Sequence, residues 1–320
     1  MQSITFTCEV ITPMFLAGAD GTTPELRPAS IKGALRFWWR AMNGHLVEKD
    51  GNLKPLKDRE AEIFGGSGEG QGRSRILIRV IPSRVHINKL GRIDSKIKYL
   101  VYGADERSFI DVGSTFTIRI TVNERNIEKA NALLREIKIA FSALVYFGGI
   151  GAKSRNGFGS FTSTNILPFD EIKNIIEEIT EDYLNIPYTS FNNTCQLYLL
   201  SKDNIDSWEG AIEALSDLYK NYGKSAVPKN KRIHIGAPYK NQSPPERHSK
   251  LFLMSVFKKS NYLKCVITYL PYNYLNDYTE LDKIHIDNAR DSWEDATSTF
   301  KKAIYEAKKK GNYLTDTLLK

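Results

Sequence analysis

Five glycines interleave with cations over residues 148–161, GGIGAKSRNGFGSF, the segment of the chain with the most legible chemistry. Glycine lets a backbone N–H come close to a phosphate, so Gly151 and Gly157 would admit the backbone while Lys153 and Arg155 add charge-assisted contacts. The segment is not a P-loop: Ala152, not glycine, precedes the lysine, and a helical pattern stands where that motif needs a strand. A plain helix-to-strand turn is the alternative, but a turn requires neither five glycines nor two cations.

Lys32, Arg36 and Arg40 recur at i, i+4 and i+8 on one helical face, with Trp39 nearby. Such a stripe can follow a phosphate backbone while a ring stacks a base, and it is equally the form of a solvated helix face. Arg75 and Arg79 sit on the polar side of an alternating strand. Between Gly72 and Leu100, eight basic residues (Arg73, Arg75, Arg79, Arg84, Lys89, Arg92, Lys96, Lys98) face one acid, Asp94. That local excess is the footprint expected of nucleic-acid binding, or else a mobile insertion with no fixed partner.

For catalysis the sequence offers little. The five histidines (His45, His86, His234, His248, His285) are dispersed, with no HExxH, no GxSxG and no paired-aspartate motif. His45, just past the basic helix, is the residue that could serve an RNA-cleaving site as general base; as a helix-end histidine it also suits the dipole. Cys8, Cys195 and Cys265 lie in separate strand-like stretches without CxxC spacing, so neither a disulfide framework nor a zinc site is expected. No metal and no cofactor is expected.

The elements that must position these groups follow from periodicity. Residues 3–11 alternate as a half-buried strand. A helix runs from a Ser30 cap to Gly44, and a short one spans 58–64. Strands follow at 73–81 and 114–122, each apolar on one face and arginine- and threonine-bearing on the other, so bases are not expected to stack on this sheet. A strongly periodic helix at 127–147 ends at Gly148, and a strand reaches Leu167. The order is β-α-β-β-α-β. An acidic helical stretch at 169–184 and the Pro187 segment mark a boundary. Beyond it come a strand at 195–201, a helix at 207–223, strand-like runs at 231–236, 250–257 and 263–270, and a helix at 292–311 with a Ser292/Asp295 capping box. The fold class expected is α+β, with two tandem ferredoxin-like (βαββαβ) domains at 1–168 and 190–320, the second degenerate.

Composition agrees and locates the charge. The chain has 320 residues, 41% hydrophobic and 26% charged, which excludes global disorder and leaves room for two cores. Residues 1–160 carry 24 Lys+Arg against 16 Asp+Glu; residues 161–320 carry 21 of each, so the whole net charge of +8 lies in the first half. Fourteen of the 17 arginines also lie there. Arginine's planar fork matches phosphate, so an anionic partner is expected for that half. No stretch has the apolar length to span a bilayer and no signal core opens the chain, so a cytoplasmic protein with no membrane partner is expected.

The stretch from Glu25 to Ala41, ELRPASIKGALRFWWRA, resembles the signature of the first RAMP-superfamily subunit of the Cmr complex, a CRISPR RNA-guided effector. Glu62-Ile63-Phe64-Gly65 resembles the short pre-strand motif of RAMP proteins, and Gly148 to Gly159 their glycine-rich loop. The resemblance implies two ferredoxin-like folds, assembly with other Cmr subunits where the 3′ part of the guide is held, and no catalytic site of the chain's own. Its implied role is antiviral defence by RNA cleavage carried out in a neighbouring subunit. The RNA-binding residues expected are Lys32, Arg36, Arg40, Arg75, Arg79, Gly151, Lys153, Arg155 and Gly157, on single-stranded guide or target RNA. A rival from the same superfamily is a metal-independent endoribonuclease acting on CRISPR repeats through His45.

Overall fold

The computed structural model describes residues 1–48, 51–68, 71–91, 94, 96–180, 188–235, 250–271, 283–309 and 314–317. Its first half runs β1 (Gln2–Val10), α1 (Pro28–Met42), α2 (Lys54–Phe64), β2 (Ile76–Arg84), β3 (Ile87–Lys89), α3 (Lys98–Val101), β4 (Ser108–Ile110), β5 (Thr115–Val122), α4 (Ile127–Phe147) and β6 (Phe161–Ser163). The main sheet has the order β2-β5-β1-β6 and is antiparallel throughout. Alternation in β1, β2 and β5 sends Phe6, Cys8, Ile76, Ile78, Ile118 and Ile120 under α1 and α4, where they are buried. The opposite face is open, with Arg79 and Arg119 as direct cross-strand neighbours.

The second half runs α5 (Phe169–Thr180), β7 (Gln196–Ile205), α6 (Trp208–Asp217), β8 (Phe252–Lys259), β9 (Tyr262–Tyr269), α7 (Lys283–Lys309) and β10 (Leu314–Thr317). Its sheet has the order β10-β7-β9-β8, again antiparallel. From β7 onward the elements repeat β-α-β-β-α-β, and in both sheets the fourth strand of the set lies beside the first, followed by the third and second. A degenerate copy was expected here; the strand set is complete.

Four local expectations are corrected. The cap of α1 is Arg27, not Ser30, because Pro28 at N1 has its φ preset for a helix and no N–H to satisfy. Residues 229–235 form a 3-10 helix in place of a strand: Lys231 N–H bonds the Pro228 carbonyl, and Arg232 Nε donates to the Val227 carbonyl at 2.9 Å. The helix after Ser207 passes from α to π geometry over Leu218–Lys224. Helix α7 begins at Lys283, so Ser292 is interior to it and does not cap its start. Arg92, Glu181, Asp182 and Pro187, and the Gly311 stop, lie outside the described residues.

The two sheets share a core. In β8 every residue from Phe252 to Phe257 is buried: Phe252, Met254 and Val256 pack with α6 and α7, while Leu253 and Phe257 face the first half. Helix α4 fills the space between, with Phe141 stacked on Phe6 (3.9 Å between centroids) and Tyr146 edge-on to Phe257 (5.3 Å). The described residues at the end of the 65–100 insertion are tied to the second half. Ile97, Leu100 and Val101 are buried with the second core, and Lys96 pairs with Glu213 of α6 at 2.6 Å. All three cysteines are buried free thiols.

The glycine-rich loop closes the seam. Asn156 bridges to Met254 of β8, its Nδ2 donates to the Leu100 carbonyl at 2.7 Å, and Ser160 Oγ accepts from Val256 N–H at 3.1 Å. A Cβ on Gly157, at φ +89°, would lie 2.8 Å from Ile212 Cδ1 and 2.9 Å from Leu215 Cδ1 of α6. Gly157→Ala therefore combines backbone strain with overpacking and should cost about 2–4 kcal/mol in urea unfolding. Gly21→Ala, strained at φ +73° but opening into free space, should cost only about 1–2 kcal/mol.

Candidate nucleic-acid interface

Helix α1 divides its side chains three ways. Leu35, Trp38 and Trp39 are buried, and Trp39 Nε1 donates to Glu136 Oε2 at 3.2 Å, so Trp39 is core and not a stacking platform. Arg36 and Arg40 converge on one carboxylate, Glu60 of α2, which is 5% exposed; the Arg40 Nη1 contact is 2.6 Å. Ser30, Gly33 and Phe37 turn toward the glycine-rich loop. Glu62 of the adjoining motif pairs with Arg59 (2.6 Å) and Arg75 (3.0 Å), and Gly65 at φ +81° brings its backbone close to Ser74. The motif thus locks α2 onto the start of β2.

Between α1 and the loop lies a groove of about 370 Å³. Ser30, Gly33 and Phe37 form one wall and Gly149, Gly151 and Ser154 the other. The Arg155 guanidinium sits 5.4 Å from the Phe37 ring centroid, a cation–π pair at the mouth. The glycines are required by close backbone packing. A Cβ on Gly149 would meet the Phe158 carbonyl at 2.7 Å, and one on Gly151, at φ +97°, the Phe15 carbonyl at 2.5 Å. Lys153 takes the left-handed conformation at φ 63°, which turns the chain back toward Asn156.

Gly151 and Arg155 line the groove. Lys32 and Arg36 extend α1's stripe alongside it, and Lys153 sits on the same loop. Burial and the Arg36 charge one turn away lower the pKa of Lys32. Arg40 lies further along the helix with Glu60 as partner. Arg75 is held between Glu62 and Glu124, each at 3.0 Å. Arg79 is exposed on the open sheet face, the side away from α1, and Gly157 is buried against α6. His45 lies past the far end of α1, in the 3-10 turn Gly44–Leu46. Burial lowers its pKa and Glu136 opposes that shift.

Gly33, Phe37 and Ser154 lie within the quoted motifs but are not among the residues that charge and spacing single out. The available signal was Gly33 itself, a lone glycine inside a strongly periodic helix. A Cβ there meets nothing within 4 Å, so packing does not demand the glycine.

Residues 7–162 match the model of the RAMP superfamily. Within it the resemblance is to Cmr1. The chain is 29% identical over 188 residues to the CRISPR system Cmr subunit Cmr1-2 of Pyrococcus furiosus, covering 50% of this chain and 94% of that one. The crystal structure of Pyrococcus furiosus Cmr1 superposes with a TM-score of 0.64 at 19% identity, over 99% of both chains. A chain of a cryo-EM structure of the Type III-B Cmr-beta bound to cognate target RNA superposes at 0.55 with 13% identity, over 92% of this chain and 99% of that one. These likenesses establish a shared α/β fold with antiparallel sheets. Among the described residues no helix is long and apolar enough to cross a membrane.

Gly33→Ala should raise stability by about 0.5–1 kcal/mol, the helix-propensity difference, because the added methyl meets only open groove. A thermal melt checks the sign: a lowered midpoint would mean that the groove wall is packed.

Proposed function

We propose that the chain is a non-catalytic RNA-binding subunit of a CRISPR Cmr effector complex, holding guide or target RNA near the 3′ end of the guide for antiviral RNA interference in the cytoplasm. Its first domain, 1–168, is read as ferredoxin-like and RNA-binding, and its second, 190–320, as a ferredoxin-like partner. The observation that carries this reading is the groove between α1 and the glycine-rich loop, where Arg155 and the partly buried Phe37 offer a charge and a ring side by side. Single-stranded RNA is bound by that pairing: cations take phosphates, and a ring takes a base face without regard to sequence. The Cmr1 relatives and the RNA-bound Cmr-beta neighbour support the same assignment.

Lys32, Arg36, Lys153 and Arg155 are the phosphate contacts in this reading. Arg36 also pairs with Glu60, through Nε, and keeps its terminal donors for phosphate. Arg40, further along the helix on the same carboxylate, and Arg75, held between two carboxylates, act mainly on the fold. If about four phosphates of a single strand are neutralised, log K falls against log salt with a slope near −3. Lys153→Ala with Arg155→Ala should weaken binding about tenfold or more across RNA sequences and make the slope shallower; a flat salt response in the wild type would overturn the reading. Incubating the pure protein with repeat RNA in EDTA tests its non-catalytic part. Intact RNA is expected, and specific cuts lost in His45→Ala would replace the binding subunit with an endoribonuclease.

A further inference from the structure

Arg79, one of the cations that the sequence offers to RNA, is exposed on the open face of the first sheet, turned away from α1 and the groove. It does not stand alone. Register sets it directly opposite Arg119 of β5, and Leu77 and Ile81 precede and follow it on the same face of β2, 55% and 53% exposed. The other positions around the two arginines are Thr117 and Thr121 along β5 and Thr5 on β1, all uncharged. Guanidinium groups opposed across an antiparallel pair, with Cβ atoms about 5 Å apart, repel each other. Folding thus holds two like charges and two large apolar side chains together in water, over a low floor of threonines.

A partner that covers this face relieves both costs at once. The buried centre of a protein interface favours arginine and apolar groups, whereas a single strand of RNA would find no aromatic ring here to stack its bases. β2 is an edge strand, but Pro82 offers no N–H and the register shifts between Pro82 and Arg84, so the edge does not suit an added strand. The partner therefore lies across the face. Leu77 and Ile81 are four residues apart, about 13 Å along a strand. Eight residues of helix rise about 12 Å. A helix laid along β2 can set two apolar side chains against Leu77 and Ile81 and, midway between them, a carboxylate against Arg79 and Arg119. We propose that this face docks a helix of another protein chain, one that carries an acidic residue between two apolar ones at i, i+4 and i+8. In the reading above that chain is another Cmr subunit, and only this identity rests on that reading.

The test is Arg119→Glu in the full chain, with Leu77→Ser/Ile81→Ser as a second variant. Arg119→Glu turns the opposed pair from like to unlike charges, so its melting point alone should be unchanged or higher. Docking should be lost. When the chain is co-expressed with the other Cmr subunits and the assembly is recovered through a tag on one of them, each variant should be retained at least fivefold less than wild type. RNA affinity of the free variants should stay within twofold of wild type. Full retention of either variant would overturn the proposal. So would an RNA affinity that falls with retention, which makes the face an RNA surface, or a wild-type dimer in light scattering that Arg119→Glu dissolves, which makes the occupant a second copy. Should the wild type join no Cmr subunit, the assembly reading fails on its own, and a helical peptide with Leu, Glu and Leu at i, i+4 and i+8 decides the face. Binding to the wild type at least fivefold tighter than a peptide with Lys at i+4, with no such preference in Arg119→Glu, supports it; equal binding of the two peptides overturns it.

Discussion

Residues Ala140 to Phe147, the last two turns of α4, are buried on every side, and the rest of the structure is arranged around that burial. A helix with one apolar stripe needs one sheet; this one is apolar all round and needs two. Its inner side meets the first sheet through Phe141 and Phe6, and its outer side meets the second sheet through Tyr146 and Phe257. Ser255 Oγ donates to the Tyr146 carbonyl at 2.7 Å, satisfying a backbone group near the helix end. The second sheet is in turn covered on both faces, by α6 and α7 on one and by the first half on the other. That is why β8 reads as a continuous apolar run and β5 as a strict alternation.

Since α4 ends at this seam, whatever follows it is threaded between the halves. The glycines of 148–159 answer that requirement. They were read in the sequence as a means for the backbone to approach phosphate. In the structure most of them let backbone approach backbone, or, at Gly157, let the loop lie against α6. The loop is stiff because it is packed, and a stiff loop holds Ser154 and Arg155 opposite Phe37 at a fixed separation. Preorganisation of this kind lowers the entropic cost of binding a flexible single strand.

Local periodicity carried most of the fold into view. The alternation of Phe6, Cys8 and Val10, and of Ile118 and Ile120 against Arg119, is legible because each strand has one solvent face. The run at 231–236 misled because five alternating residues also suit a 3-10 turn whose last residue, Ile235, is buried. Charge was harder to read. Nothing local says that Arg36 and Arg40 share a carboxylate 24 and 20 residues away on another helix, or that Arg75 lies between two acids, one 49 residues distant. The candidate site was half legible for the same reason: its loop and helix carry motifs, while the approach of Arg155 to Phe37 joins a loop and a helix far apart in the chain.

The seam also sets a clock on synthesis. Ser160 Oγ finds Val256 N–H 96 residues further along the chain, and Gly157 rests on side chains of α6. When the glycine-rich loop leaves the ribosome, none of these supports exists, and at about 5–20 residues per second they arrive roughly 5–20 s later. A nascent first half thus holds both walls of the groove before the loop has its outer supports. Those supports come into being only when the second half folds against α4, so the packing that fixes the loop belongs to the finished chain and not to its first half.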